Sequence, residues 1–554
     1  MLQELRRSAP ALLVLMLLAC WPVRQSLLHD TIPGAGPDVL STLWGMWWFG
    51  QEWLGAAWGG WTDLANHPSG VWGAVLSPLS GIVYNLAEPL LGIGRAAAVT
   101  GVVQAGGLAA MTALVASRLG CSLPAVLAAG LVPLGMRYTW YGLGEGSVVA
   151  IAALFVPLGL YFLLDCLERP SRRSVVAAAA AMALVALENP YLAPVLPTVA
   201  LAQLGMTVAQ RGPRATALNL AGALGLGSAG ILGVSALYGR VASPDYPPRI
   251  VEETRVLGPW TLEVIDKPWA RLDAVDMFRP ADVTWTLDVF AGQGAQGGDY
   301  LGLAGLGLAL VGGALAWGRA WPWLVVGFGS VLLALGSVSG GVPLPFLVLN
   351  EVMDGVARPL TQPTRFLSVA GVGLGVAAAL GVDGLRRLPV PRAAWLAAAV
   401  VAADGLVLGG LSLVLPETAL PDAPCVESLR DQDGAVLIWP ADASYWEGDL
   451  QRTWLFQLLH ERPSANPGIA SWALHEGRAR DRLKHQGGFN YVSYEGTHMG
   501  EAMGTPQRAW LVEQGFSWVV VDVERDPGQV AWAERHFGPP VDACGTAIVH
   551  RITP

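Results

Sequence analysis

Asp38 follows Gly34, Gly36 and Pro37 and stands directly before the run Val39–Leu54. A carboxylate in that place can accept backbone N–H bonds as a helix cap. It can also act as a general base or metal ligand held at a membrane surface. The two readings are compatible, and both stay open. Asp30 offers the same chemistry where an apolar run ends. Glu145, in the connector Tyr138–Gly146, and Glu188, in Glu188-Asn189-Pro190-Tyr191, are acids beside apolar runs. Carboxylates at membrane depth are costly and are functional candidates by default; Glu188 is equally compatible with an interfacial position. Late in the chain, Arg358 and Arg365 bracket Pro359-Leu360-Thr361-Gln362-Pro363-Thr364. Their planar forks suit a lipid phosphate; the alternative is an ion pair with Glu351 or Asp354. His67, in His67-Pro68-Ser69-Gly70, reads first as a turn residue and second as a site residue.

The elements that must position these side chains are apolar helices. Hydrophobic residues make up 53% of the 554 residues and charged residues only 14%, against roughly 25% charged in a soluble domain. Mean hydropathy is +0.45. A net charge of −9 leaves no basic footprint for a nucleic-acid partner. The composition is that of a polytopic membrane protein embedded in a lipid bilayer. Candidate spans are Ala9–Val23, Ala96–Ala116, Leu123–Met136, Ser147–Leu164, Ser174–Leu187, Tyr191–Val208, Ala215–Leu237, Leu301–Trp317, Trp323–Val338, Phe366–Val382 and Ala393–Leu415. That makes about 11 spans.

Arginine sets the orientation. With a cytoplasmic N-terminus, the inside segments hold Arg6, Arg7, Arg118, Arg169, Arg172, Arg173, Arg211, Arg214, Arg319, Arg386, Arg387 and Arg392. The segment His29–Gly94 carries acids and no Lys or Arg. Residues 1–415 form the membrane part, with external loops near 29–94 and 239–300. Residues 416–554 follow as an external α/β domain. That domain has strands at Ala435–Trp439, Trp518–Val523 and Ala547–Ile552, and helices around Thr453–His460 and Gln529–Phe537. Val39–Leu54, with Trp44, Trp47, Trp48 and Trp53, reads as an interfacial helix with its Trp rings at headgroup depth. Cys425 and Cys544 both fall in the external domain, bridged or free; no Cys/His spacing suggests zinc. Leu17-Leu18-Ala19-Cys20 also permits lipoprotein-type processing in place of an uncleaved first helix.

The arrangement resembles the GT-C class of polytopic glycosyltransferases. Pro37-Asp38-Val39-Leu40 through Leu43-Trp44 to Trp48 is similar to the acid-led, Trp-bearing first-loop helix of bacterial members. Gly142-Leu143-Gly144-Glu145-Gly146 with Val156-Pro157-Leu158 is similar to their second loop and the span after it. Arg358 through Phe366 is similar to a Pro-and-Arg segment before a late span. The chain departs from the class in lacking Asp-x-Asp in the first loop and in having Glu145 where many relatives have Gly-His. The resemblance implies a bacterial plasma-membrane enzyme that moves a sugar from a polyprenyl-phosphate donor to an acceptor at the outer face. Asp38 would be the base, or would hold Mg or Mn, with Asp30 and Glu145 assisting it. Arg358, Arg365, Glu188 and His67 would contact substrate. The competing class is a non-enzymatic lipid-carrier transporter or assembly subunit in envelope biogenesis.

Overall fold

The computed structural model describes residues 2–35, 39–51, 60–62, 64, 67, 71–73, 77–144, 153–168, 171–189, 192, 221–233, 253–257, 260–264, 300–339, 342–353, 363–387, 389–390, 392–439, 449–464, 505–524 and 527–553. They fall into two compact units. One is Met1–Gly36, Ala87–Ala236 and Pro248–Glu417; the other is Pro37–Leu86, Leu237–Pro247 and Thr418–Pro554.

The first unit is a helical bundle. Its described helices are Leu2–Ala19, Arg24–His29, Ile93–Arg118, Leu123–Gly135, Arg137–Gly144, Phe155–Glu168, Arg172–Glu188, Ala221–Gly233, Leu303–Ala334, Pro345–Met353, Leu367–Leu385 and Ala393–Val407. Ile93–Arg118 and Pro363–Leu385 are long and apolar enough to cross a membrane, and Leu303–Ala334 is so by its total length. The span expected at Tyr191–Val208 lies outside the described residues except Leu192. The first span ends at Ala19 and a separate short helix carries the chain to His29.

Leu367–Leu385 is the buried axis of this unit. Small residues let neighbouring backbones approach it. A methyl on Gly373 would lie 2.7 Å from both Gly327 Cα and Trp323 O, and one on Gly375 would lie 2.5 Å from Ala129 O. Lipid-type side chains sit on the periphery instead: Leu310, Trp317, Val325, Phe328 and Leu332 are exposed. The two spans expected at Leu301–Trp317 and Trp323–Val338 form one continuous element that breaks at Ala316, whose φ/ψ of −139°/37° is not helical. Leu324 Cδ1 lies 2.9 Å from where a Gly313 methyl would be. In a straight helix those residues would be about 16 Å apart. The chain therefore folds back on itself at the break, and the element is a hairpin with two arms.

Charged side chains gather at the two ends of the bundle. At one end, Arg118 pairs with Glu4 (3.5 Å), Asp165 (2.6 Å) and Glu168 (3.0 Å), and Arg319 donates to Leu119 O. Asp383 accepts from Ser122 N (3.2 Å) at that same end. All of these join helix termini that the arginine pattern assigns to one side.

In the second unit a four-stranded sheet runs in the order Asp542–Cys544, Ala547–Arg551, Phe516–Asp522, Ala435–Trp439. The last pair is parallel and the others antiparallel. A parallel pair needs a long crossover, and the helices Asp449–His460 and Thr505–Glu513 lie within it. Helix Gln529–Phe537 covers the sheet through Ala533 and Phe537. Cys425 and Cys544 form a disulfide across a separation of 119 residues.

The same unit contains the first-loop helix Val39–Gln51. The expectation that its Trp rings lie at headgroup depth needs correcting, because Trp44, Trp47 and Trp48 are each at most 5% exposed inside the protein. Trp44 stacks on Trp48 with ring centres 5.6 Å apart, and its N–H reaches Gln457 Oε1 at 2.9 Å. Burying an indole is cheaper when its N–H finds an acceptor, and for Trp44 the tail supplies one.

Candidate functional site

In the first unit, three aspartates do the same job. Helix Ile93–Arg118 begins after Gly92, which has φ +87° and no side chain to cap with. Asp30 supplies the cap from another segment: its Oδ1 accepts from Arg95 N at 2.9 Å. Arg95 returns the favour, donating from Nε to Leu27 O (3.0 Å) and from Nη2 to Leu28 O (3.2 Å) at the end of helix Arg24–His29. Each helix end thus satisfies its orphan groups with the other's side chain. Asp30 itself adopts φ 57°, a left-handed conformation that Asp tolerates.

The device recurs at Gly302, which has φ +88° and precedes helix Leu303–Ala334. There Asp404 Oδ2 accepts from Ala304 N (3.0 Å), and its Oδ1 accepts from the Tyr300 hydroxyl (2.5 Å). Arg137 lies beside them at 1% exposure, donating from Nε to Leu408 O (3.2 Å) and from its backbone N–H to Tyr300 O (3.2 Å). Asp383 serves Ser122 at the opposite end. Sequence reading passed over Arg137, Tyr300 and Asp404. An acid inside the apolar run Ala393–Leu415 was a signal that could have found Asp404.

Two backbone bonds of the first unit bear on the remaining acids. Gly34 N donates to Pro416 O (2.7 Å), and Ala35 N donates to Gly144 O (3.0 Å). Asp38 follows Ala35 by three residues and Glu145 follows Gly144 by one. Asp38, Glu145 and Arg358 themselves lie outside the described residues. Glu188 closes helix Arg172–Glu188 and is 2% exposed. Arg365 sits in the turn Pro363–Phe366 that leads into helix Leu367–Leu385.

His67 belongs to the second unit. Its Nε2 hydrogen-bonds Gln514 O (2.8 Å) and its ring meets Phe516 edge-on at 5.0 Å. Its backbone N–H donates to Ser464 O (2.9 Å). These contacts fasten the first loop to the tail. Among the described residues no three His, Cys, Asp or Glu side chains come together as metal ligands.

No protein-family model and no curated protein matches the chain. Solved structures do. ArnT from Cupriavidus metallidurans in the apo state superposes with a TM-score of 0.50 at 13% identity, covering 98% of this chain and 96% of that one. The Archaeoglobus fulgidus oligosaccharyltransferase in the apo form gives 0.50 at 12% identity over 94% and 70%. AglB from Archaeoglobus fulgidus, in complex with an inhibitory peptide and a dolichol-phosphate, gives 0.50 at 11% over 98% and 74%. The fold is GT-C-like. The long apolar helices agree with a multi-pass membrane protein. The GT-C-like fold also accounts for a helical membrane bundle and a small mixed sheet in one chain.

Proposed function

We propose that the chain is a membrane glycosyltransferase that moves a sugar from a polyprenyl-phosphate carrier to a hydroxyl acceptor at the outer face of the membrane. The observation that carries the reading is the Ala35–Gly144 hydrogen bond. Within the first unit it joins Ala35 to Gly144; in the sequence Asp38 comes three residues after the one and Glu145 one residue after the other. The likeness to AglB, a protein seen with dolichol-phosphate, supports the lipid class of the donor.

In this reaction the acceptor oxygen forms a bond to the anomeric carbon. The bond from that carbon to the phosphate oxygen breaks, and its electron pair leaves with the polyprenyl phosphate. Asp38 takes the hydroxyl proton as general base, and Glu145 supports it. Arg358 and Arg365 bind the phosphate through planar donor forks. Asp30 acts as the trans cap that holds the entry to the loop. Asp38 could instead hold Mg or Mn, which would supply charge screening for the departing phosphate; sensitivity to EDTA separates the two roles. The arginine-rich end of the bundle faces the cytoplasm and the disulfide-bearing tail lies outside, in the bacterial plasma membrane.

The test uses the full chain in lipid nanodiscs with a panel of tritiated polyprenyl-phosphate hexoses and pentoses. A membrane extract provides acceptors, and release of polyprenyl phosphate is the signal. Asp38→Asn is expected to lower turnover at least 100-fold, the usual span for losing a general base. Unchanged turnover with normal membrane insertion would refute the role of Asp38.

A further inference from the structure

The side-chain amide of Gln457, in helix Asp449–His460 of the tail, is completely buried. Its Oε1 accepts the indole N–H of Trp44 (2.9 Å), and its Nε2 donates to Leu64 O and to Arg462 O (3.1 Å). Chemistry alone fixes which way this amide points. An indole nitrogen only donates and a backbone carbonyl only accepts, so no flipped amide can satisfy the three partners. Two of those partners, Trp44 and Leu64, belong to the first loop, 413 and 393 residues away in the chain.

Leu64 O also accepts from Ser464 N (3.0 Å), and Ser464 O accepts from His67 N (2.9 Å). From the other side, Asn85 Nδ2 donates to Met46 O (2.6 Å) and to Gly81 O (2.8 Å). Helix Val39–Gln51 is therefore gripped at Trp44 by the tail and at Met46 by Asn85, all within the second unit. The helix starts one residue after Asp38.

We propose that Gln457 is a positioning residue for sugar transfer: through the indole N–H of Trp44 it fixes the helix Val39–Gln51, which begins directly after Asp38 in the sequence. This rests on the reading of Asp38 as the base. The tail then contributes to catalysis by holding the first loop in register, whatever acceptor it also meets. A buried amide with every partner satisfied holds one geometry. A reacting group displaced by about 1 Å can cost on the order of 100-fold in rate. Such a loss falls on kcat, because the donor's own contacts are untouched.

The experiment compares Gln457→Met, Trp44→Phe and the double variant in the full chain in nanodiscs, with the donor panel above. Each single variant should lower kcat at least 10-fold and leave the donor KM within twofold. The double variant should be no worse than about the poorer single one, because both remove the same link. Hydrogen exchange on the same samples should show faster exchange over Val39–Gln51, with protection of Ile93–Arg118 kept as proof of folding. Wild-type kcat in either single variant, losses that multiply in the double variant, a KM effect alone, or unchanged exchange over Val39–Gln51 would each overturn the proposal. The underlying reading fails separately. Turnover retained in Asp38→Asn, or a wild-type chain idle on every donor, overturns the base assignment. Loss in Asp38→Asn with full activity in Gln457→Met overturns the positioning role alone.

Discussion

Replacing both Cys425 and Cys544 with alanine tests where the tail resides and how it is held. The bond links helix Pro424–Glu427, at the start of the tail, to strand Asp542–Cys544 near its end. It closes a loop of 119 residues. On the chain-entropy account, opening a loop of that size frees the unfolded chain by about 5 kcal/mol at 25 °C. For a domain of roughly 150–250 residues each kcal/mol moves Tm by about 2–4 °C, so the tail should melt at least about 10 °C lower. Bundle helices outside the loop should be unaffected. The assay is Trp fluorescence against temperature for the full chain in nanodiscs, together with mapping of alkylated cysteines from whole cells. An oxidising compartment is required for the bond to form and persist. Recovery of both cysteines as free, alkylated thiols would remove the bond and with it the external placement of the tail. A bond that forms, but whose loss moves the tail transition by less than about 2 °C, would refute the entropic reasoning and leave the placement intact.

Three further outcomes follow from the geometry. Asp30→Asn keeps an acceptor for Arg95 N and tolerates the left-handed backbone, so donor turnover should stay within a few-fold of wild type, whereas Asp30→Ala should cost about 1–2 kcal/mol in thermal stability; a folded but inactive Asp30→Asn would make Asp30 catalytic after all. Burial in apolar surroundings, with Arg462 nearby, lowers the His460 pKa from 6.5 to about 3. The folded form then resists the proton that the unfolded chain accepts, so stability is full above pH 6.5 and falls by about 1.4 kcal/mol per pH unit below it. Comparing unfolding at pH 7.5 and 5 for wild type and His460→Asn should show a difference of about 2 kcal/mol, and identical pH slopes would contradict the assignment. Gly373→Ala should lower stability by about 1–3 kcal/mol because its methyl meets the Gly327 and Trp323 backbone, while Gly329→Ala, with open space around it, should be neutral or stabilising; equal effects in a thermal melt would argue against close packing of these helices.

What the sequence displays is periodicity and composition, and the elements built on those were readable from it. The strand Ala435–Trp439 and the helix Gln529–Phe537 form with the expected bounds. The break between the two arms of Leu303–Ala334 falls where Trp317-Gly318-Arg319 interrupts the apolar run. Contacts across hundreds of residues leave no local trace. A Trp-rich stretch reads the same whether its rings face lipid headgroups or a buried glutamine. Only the partner at Gln457 decides between them.

The same reasoning sorts the acids. A carboxylate at the edge of an apolar run is suspicious because charge is expensive there, yet a helix N-terminus offers that charge a home. Asp30, Asp404 and Asp383 each accept a backbone N–H where another helix starts. Their cost is offset by architecture, and catalysis is not needed to explain them. Glu188 differs. It closes its own helix, the end where the dipole opposes negative charge, and it is buried. If the proposed contact of Glu188 with substrate holds, Glu188→Gln should raise the donor KM while leaving kcat near wild type, and an unchanged KM would make Glu188 a structural residue of its helix end.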